Sequence, residues 1–243
     1  MDCPIHDRPC DLNAFWYDSA IDGLILELSF DALTYALPSS LIFNATTRAS
    51  EVRLYGNPVG TVLRAPLDSE SRLLALLPGA PPVLLFNLRL EGQLHVQNSS
   101  LYVEGCDVTG SRSETDGGAV LLIDGRFEAR GSAFFDSAAL NGGAVCIDGG
   151  EALFDWCRFE GNHAAKEGGG LFVRRGSVEL RNGTYFHRNF AAYQGHSISA
   201  EATGSNVVYR LPAPPGHFIN AAEGTSQQMV RVMDMSFPFA CPP

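Results

Sequence analysis

Gly117-Gly118-Ala119-Val120, Gly142-Gly143-Ala144-Val145 and Gly168-Gly169-Gly170-Leu171 write one pattern three times, and Gly195-His196-Ser197-Ile198 repeats it with a glycine lost. The copies stand 25, 26 and 27 residues apart. Two further sets run in phase with them. One is Cys106-x-Val108, Ser132-x-Phe134, Cys157-x-Phe159 and Thr184-x-Phe186; the other is Leu101-x-Val103, Phe127-x-Ala129, Ala152-x-Phe154 and Val178-x-Leu180. Within each set the apolar residues are two apart, which is the strand period and not the helix period. Three short strands per repeat of about 25 residues describe one turn of a solenoid, whose turns must stack to bury their apolar faces. The glycine pairs fall just before the third strand, where the chain bends sharply or backbones approach closely.

Such a repeat leaves no room for a crossover helix, so the expected fold is all-β: a right-handed, single-stranded parallel β-helix. The Gly-Gly-Ala-(Val/Leu) unit, set after Phe159-x-x-Asn162 and before the next aromatic-x-x-Asn189, resembles the repeats of polymorphic outer-membrane proteins. More broadly the chain is similar to the pectate-lyase-like β-helices, over roughly residues 50 to 220.

Outward from the repeats, Val52-x-Leu54, Val62, Leu73 to Leu77 and Val83-x-Leu85 read as strands parted by turn signals at Gly56-Asn57-Pro58, Ala65-Pro66 and Pro78-Gly79. Leu94-x-Val96 stands 26 residues before Val120-x-Leu122, in the same solenoid. Three segments follow: 1–49 as an N-terminal cap, since an open first turn needs cover; 50–220 as the β-helix; and 221–243 as a tail. Leu211-Pro212-Ala213-Pro214-Pro215-Gly216 resembles the exit from β-helix domains in large surface proteins of unicellular eukaryotes. In those a Cys-rich module often follows, of which Cys241 would be the first cysteine.

A formal charge of −10 argues against nucleic acid, which needs clustered Lys and Arg. No apolar run reaches the ~18 residues of a membrane span. Met1 to Asp22 has neither a basic n-region nor an apolar h-region, so no signal peptide is read there. Sequons at Asn44, Asn98 and Asn182 permit glycosylation. With the fold resemblance they point to an extracellular or cell-surface setting. Six cysteines invite disulfides. Cys106 and Cys157, however, share a column two turns apart, about 9.6 Å, beyond the ~7 Å that a disulfide spans. Cys3 and Cys10 could close a small loop. Without Cys-x-x-Cys spacing or clustered histidines, no metal is expected, nor any other cofactor.

The loops between second and third strands vary most, and in solenoids such an edge often binds. Near it stand His163, flanked by Glu160 and Glu167, and also His187 and His196. A histidine beside a carboxylate can act as a general base, which makes His163, Glu160 and Glu167 the catalytic candidates. Asp148, Arg174 and Glu201 are expected as outward neighbours of alternating sign, either a charge ladder or a groove for a sugar acid. Polygalacturonase-like enzymes of the resembling fold use Asn-x-Asp, Asp-Asp, Gly-His-Gly and Arg-x-Lys. Here no Asp-Asp or Arg-x-Lys occurs, and Gly195-His196 is followed by Ser197. The expected function is therefore a non-enzymatic surface module for adhesion or carbohydrate contact, its partner a carbohydrate or another surface protein. The alternative is a polysaccharide lyase or glycoside hydrolase.

Overall fold

A computed structural model describes residues 22–30, 34–58, 60–66, 72–109, 112–209, 217–218 and 239–240. Those between 22 and 209 form an all-β solenoid of about seven turns, built from parallel strand pairs. Its first face runs through Ile25–Ser29, Glu51–Tyr55, Val83–Phe86 and Ser100–Glu104, and ends on Ser205–Tyr209. The second face is a seven-stranded sheet from Thr34–Ala36 to Tyr185–His187. The third face starts at Leu41–Phe43 and ends at Ile198–Ala200.

Three 11-residue strands, Val120–Arg130, Val145–Asp155 and Leu171–Arg181, each supply the third face of one coil and then the first face of the next. Small glycine-lined bends let one strand serve two faces, with Gly125 paired to Gly150.

The described part of the expected cap is itself a coil. Ile25–Ser29 pairs with Glu51–Tyr55, Thr34–Ala36 with Thr61–Arg64, and Leu41–Phe43 with Arg72–Leu76. Among the described residues the solenoid thus already runs from Ile25, within the segment expected as a cap; its apolar alternation is short and lacks the glycine pair that marks later coils. At the other end, His217–Phe218 pairs antiparallel with Phe239–Ala240, apart from the solenoid sheets. Cys3, Cys10 and Cys241 lie outside the described residues.

The Gly-Gly pair has two separate reasons. Gly142 sits at φ 61°, in the left-handed region. Gly143 does not, but a Cβ there would lie 2.3 Å from the Gly169 carbonyl oxygen of the coil above. One glycine serves the turn and the next serves the stack.

Inside, Phe134, Phe159 and Phe186 stack coil upon coil, with ring centroids 5.0 and 4.4 Å apart. Val120, Leu122, Val145, Ile147, Leu171 and Val173 are all fully buried, in the expected columns. At the first corner, Cys106, Ser132, Cys157 and Thr184 form a column of small donors. The Ser132 hydroxyl donates to Arg130 O and accepts from Cys106 N, and Thr184 treats Cys157 N likewise. Both thiols donate to buried carbonyls instead of pairing. Thus thiol and hydroxyl are interchangeable here, because the position asks only for a compact donor.

Candidate functional site

On the third face, side chains that alternate away from the core are nonetheless covered. Cys146 is fully buried and Phe172 nearly so, although both alternate away from the core. The cover is a charged lattice. Arg174 donates to Asp148 at 3.0 Å and to Asp116 at 2.7 Å, lies 3.7 Å from Glu201, and sits over the Phe172 ring at 5.5 Å. Burial works against the Arg174 charge, but the hydrogen bonds to Asp116 and Asp148 outweigh it and raise the pKa above the ordinary arginine value. A β-bulge sets both Arg174 and Arg175 against Asp148; the strand partner of Asp148 is Arg175, not Arg174 as the spacing suggested. Arg175 then grips Asp124 through two bonds, at 2.8 and 2.9 Å.

The fold therefore gathers Asp148, Arg174 and Glu201, and adds Asp116, which lies 58 residues from Arg174 in sequence. No repeat column contains Asp116 beside Arg174, so spacing alone carried no signal for it.

Glu160, His163 and Glu167 are not gathered. Glu160 ends a second-face strand and faces Arg158 at 3.6 Å. His163 belongs to a small extra sheet, Ala138–Ala139 with His163–Ala164 and Phe190–Ala191, and its ring stacks on Phe190 at 5.1 Å. Glu167 accepts from the Ser199 hydroxyl at 2.9 Å. Among the described residues no bond joins these three, and no group of three His, Cys, Asp or Glu side chains could hold a metal ion.

The first face carries a second feature. Its lower coils bear an outward aromatic ladder: Tyr55 stacks on Phe86 at 4.8 Å, Phe86 meets Tyr102 at 5.9 Å, and the Arg130 guanidinium lies 5.9 Å over Tyr102. Above it a cleft of about 380 Å³ crosses three coils, within the ~300–1,000 Å³ of small-ligand sites. Arg126, Glu128 and Arg130 form its lowest row, Glu151 and Leu153 the middle one, and Ser177, Glu179 and Arg181 the upper one. Glu128 pairs with Arg130 at 2.9 Å and with Arg126 at 3.7 Å, and Glu179 pairs with Arg181. Three arginines and three glutamates balance, in a molecule whose formal charge is −10. The alternating Arg126-x-Glu128-x-Arg130 was the available sequence signal for this row.

One corner beside the cleft departs from its column. Asn87, Gly105, Gly131, Trp156 and Asn182 each follow a first-face strand, and all have φ between 47° and 61°. Asparagine and glycine accept this conformation; tryptophan does so at a cost on the order of 1–3 kcal/mol. The residue is nevertheless 59% exposed.

Of the sequon asparagines, Asn98 is exposed on a turn. The Asn182 amide donates to Asp155 at 2.6 Å. The Asn44 side-chain oxygen Oδ1 accepts from the Thr46 backbone N–H and hydroxyl, at 2.8 and 2.6 Å. Among the described residues no helix is long and apolar enough to cross a membrane.

No family model matches this chain, and no solved structure matches it. Over 131 residues, 52% of its length, it is 29% identical to metabotropic glutamate receptor-like protein R of Dictyostelium discoideum. The chain spans 8% of that protein's length.

Proposed function

We propose that the chain is a non-enzymatic, extracellular or cell-surface β-helix module that contacts carbohydrate along its first face. The observation that supports this most is the polar cleft across three coils, with donors and acceptors alternating from Arg126 to Arg181 and an aromatic ladder leading up to it. Guanidiniums donate and carboxylates accept, so together they suit the hydroxyls of a sugar. The resemblance to pectate-lyase-like and polymorphic outer-membrane repeats favours a surface setting. Glu160, His163 and Glu167, the residues with the best claim to acid–base chemistry, each engage a different neighbour.

Calorimetric titration of oligosaccharides into the wild type and a Glu128→Ala/Arg130→Ala double variant tests the reading. Binding should be measurable in the wild type and weakened at least tenfold in the variant. Equal affinity would remove the cleft from the binding site. Release of new reducing ends or unsaturated products from polygalacturonate, lost in His163→Ala, would replace the binding module with an enzyme.

A further inference from the structure

Trp156 is strained where its column equivalents are relaxed, and exposed where a tryptophan gains most from burial. The coils on either side place Gly131 and Asn182 at this corner, at φ 52° and 47°, against 55° for Trp156. The backbone is pinned regardless of side chain: Gly131 N donates to Asp155 O at 2.8 Å, and Trp156 N to Arg181 O at 3.4 Å. Among the described residues the indole meets no other ring, no cation and no hydrogen-bond acceptor. Among the described residues no ring stacking, cation contact or hydrogen bond therefore calls for an aromatic group here, and the backbone disfavours one. Yet the residue directly follows Asp155, which is paired across the sheet with Arg130 and Arg181, two residues that line the cleft.

We propose that Trp156 is the stacking platform at the corner end of the first-face cleft, and that the ligand is a neutral hexose oligosaccharide. This rests on the carbohydrate reading above and narrows it. A pyranose ring has an apolar C–H face suited to an indole and a rim of hydroxyls suited to paired guanidinium and carboxylate groups. The charge of the cleft selects among sugars. Its three arginines are matched by three glutamates, and Arg126, Arg130 and Arg181 already have carboxylate neighbours. A uronic acid polymer would place its carboxylates against Glu128, Glu151 and Glu179 on a molecule of net charge −10. A neutral sugar meets no such repulsion, and its hydroxyls can both donate and accept.

The test uses the full chain with cellohexaose, mannohexaose and hexagalacturonate as probes, by isothermal titration, with a thermal melt of each variant. At least one neutral hexamer should bind more tightly than hexagalacturonate. Trp156→Asn, the column's own residue, should raise that Kd at least tenfold while its Tm stays level or rises; Trp156→Phe should keep most of the affinity. An unchanged Kd in Trp156→Asn, with binding still lost in the Glu128→Ala/Arg130→Ala variant, would overturn the platform and leave the cleft standing. Tighter binding of hexagalacturonate would overturn the neutral class. A Tm fall in Trp156→Asn as large as that of Phe159→Ala would make the residue structural and overturn the proposal. If no hexamer binds, the cleft reading fails and the platform with it.

Discussion

Asn162 and Asn189 stand one coil apart and are joined amide to amide: Asn162 Nδ2 donates to Asn189 Oδ1 at 2.9 Å, which also accepts from Asn162 N at 3.1 Å. Below, Asn162 Oδ1 accepts from Ser137 N, and its Nδ2 also reaches Phe134 O at 2.9 Å. The asparagines form a spine at the second corner, satisfying backbone groups that no strand pairs. Asn162 is 1% exposed. Asn162→Ala would take the side-chain partner from two buried backbone groups, Ser137 N and Phe134 O, and should cost on the order of 2–4 kcal/mol. Urea unfolding measures it; a loss below about 0.5 kcal/mol would mean that the spine is dispensable.

Phe159→Ala should cost about 3–5 kcal/mol, since its fully buried ring is stacked between two others. Arg174→Ala should cost less, about 1–2 kcal/mol, because its side chain is 34% exposed though it holds Asp116 and Asp148 together. Paired urea melts rank them, and the reverse order would contradict the division between core and lattice.

Burial pushes the Asp148 carboxyl up, but the Arg174 and Arg175 guanidiniums outweigh it and hold its pKa below the usual carboxylate range. A depressed folded value means a contribution that is whole above the unfolded ~3.9 and lost as pH falls through the folded value. The destabilisation caused by Asp148→Asn should therefore shrink on acidification below about pH 4. A penalty constant from pH 7 to pH 2.5 would show that the ion pairs contribute nothing.

His95 has the same sign in a higher pH window. It is 5% exposed, its Nδ1 finds no hydrogen-bond partner among the described residues, and burial together with the nearby Arg72 charge lowers its pKa to about 4. The unfolded chain takes up this proton first, near pH 6.5. Its contribution is whole above that pH and drains as pH falls towards 4, by about 3 kcal/mol. His95→Leu should flatten that slope and cost little at pH 7.5. Parallel pH dependences of wild type and variant would refute it.

Burial raises the Cys106 and Cys157 thiols to about 12, and Cys146 higher still. With almost no thiolate at pH 8, all three should resist iodoacetamide in the native state and react in urea. Site-resolved mass spectrometry distinguishes them from the cysteines outside the described residues, and rapid native labelling of Cys146 would mean that the Arg174 lattice opens.

How far the sequence could be read follows from what each position demands. The central coils were legible because Phe159, Cys157 and Gly143 each sit in a column with one requirement, repeated every coil. The first coil was harder: Ile25 pairs with Glu51 at the same repeat distance, but nothing near it marks the bend. Outward positions were hardest. Alternation points Cys146 outward and cannot foresee its burial beside the charged lattice, which depends on Asp116 in another coil. Trp156 was likewise invisible, since its oddity is a backbone angle and not a spacing.

The glycine pairs also work as a counting device. At each coil the second glycine leaves a slot that the next coil's carbonyl oxygen fills: Gly118 for Gly143, Gly143 for Gly169, Gly169 for His196. At His196 the slot is shut, because a Cβ now stands in it. The lost glycine of the fourth copy falls at the last coil stacked at this corner among the described residues. A coil grafted above it would first need His196→Gly, and an alanine at Gly143 would end the count two coils early.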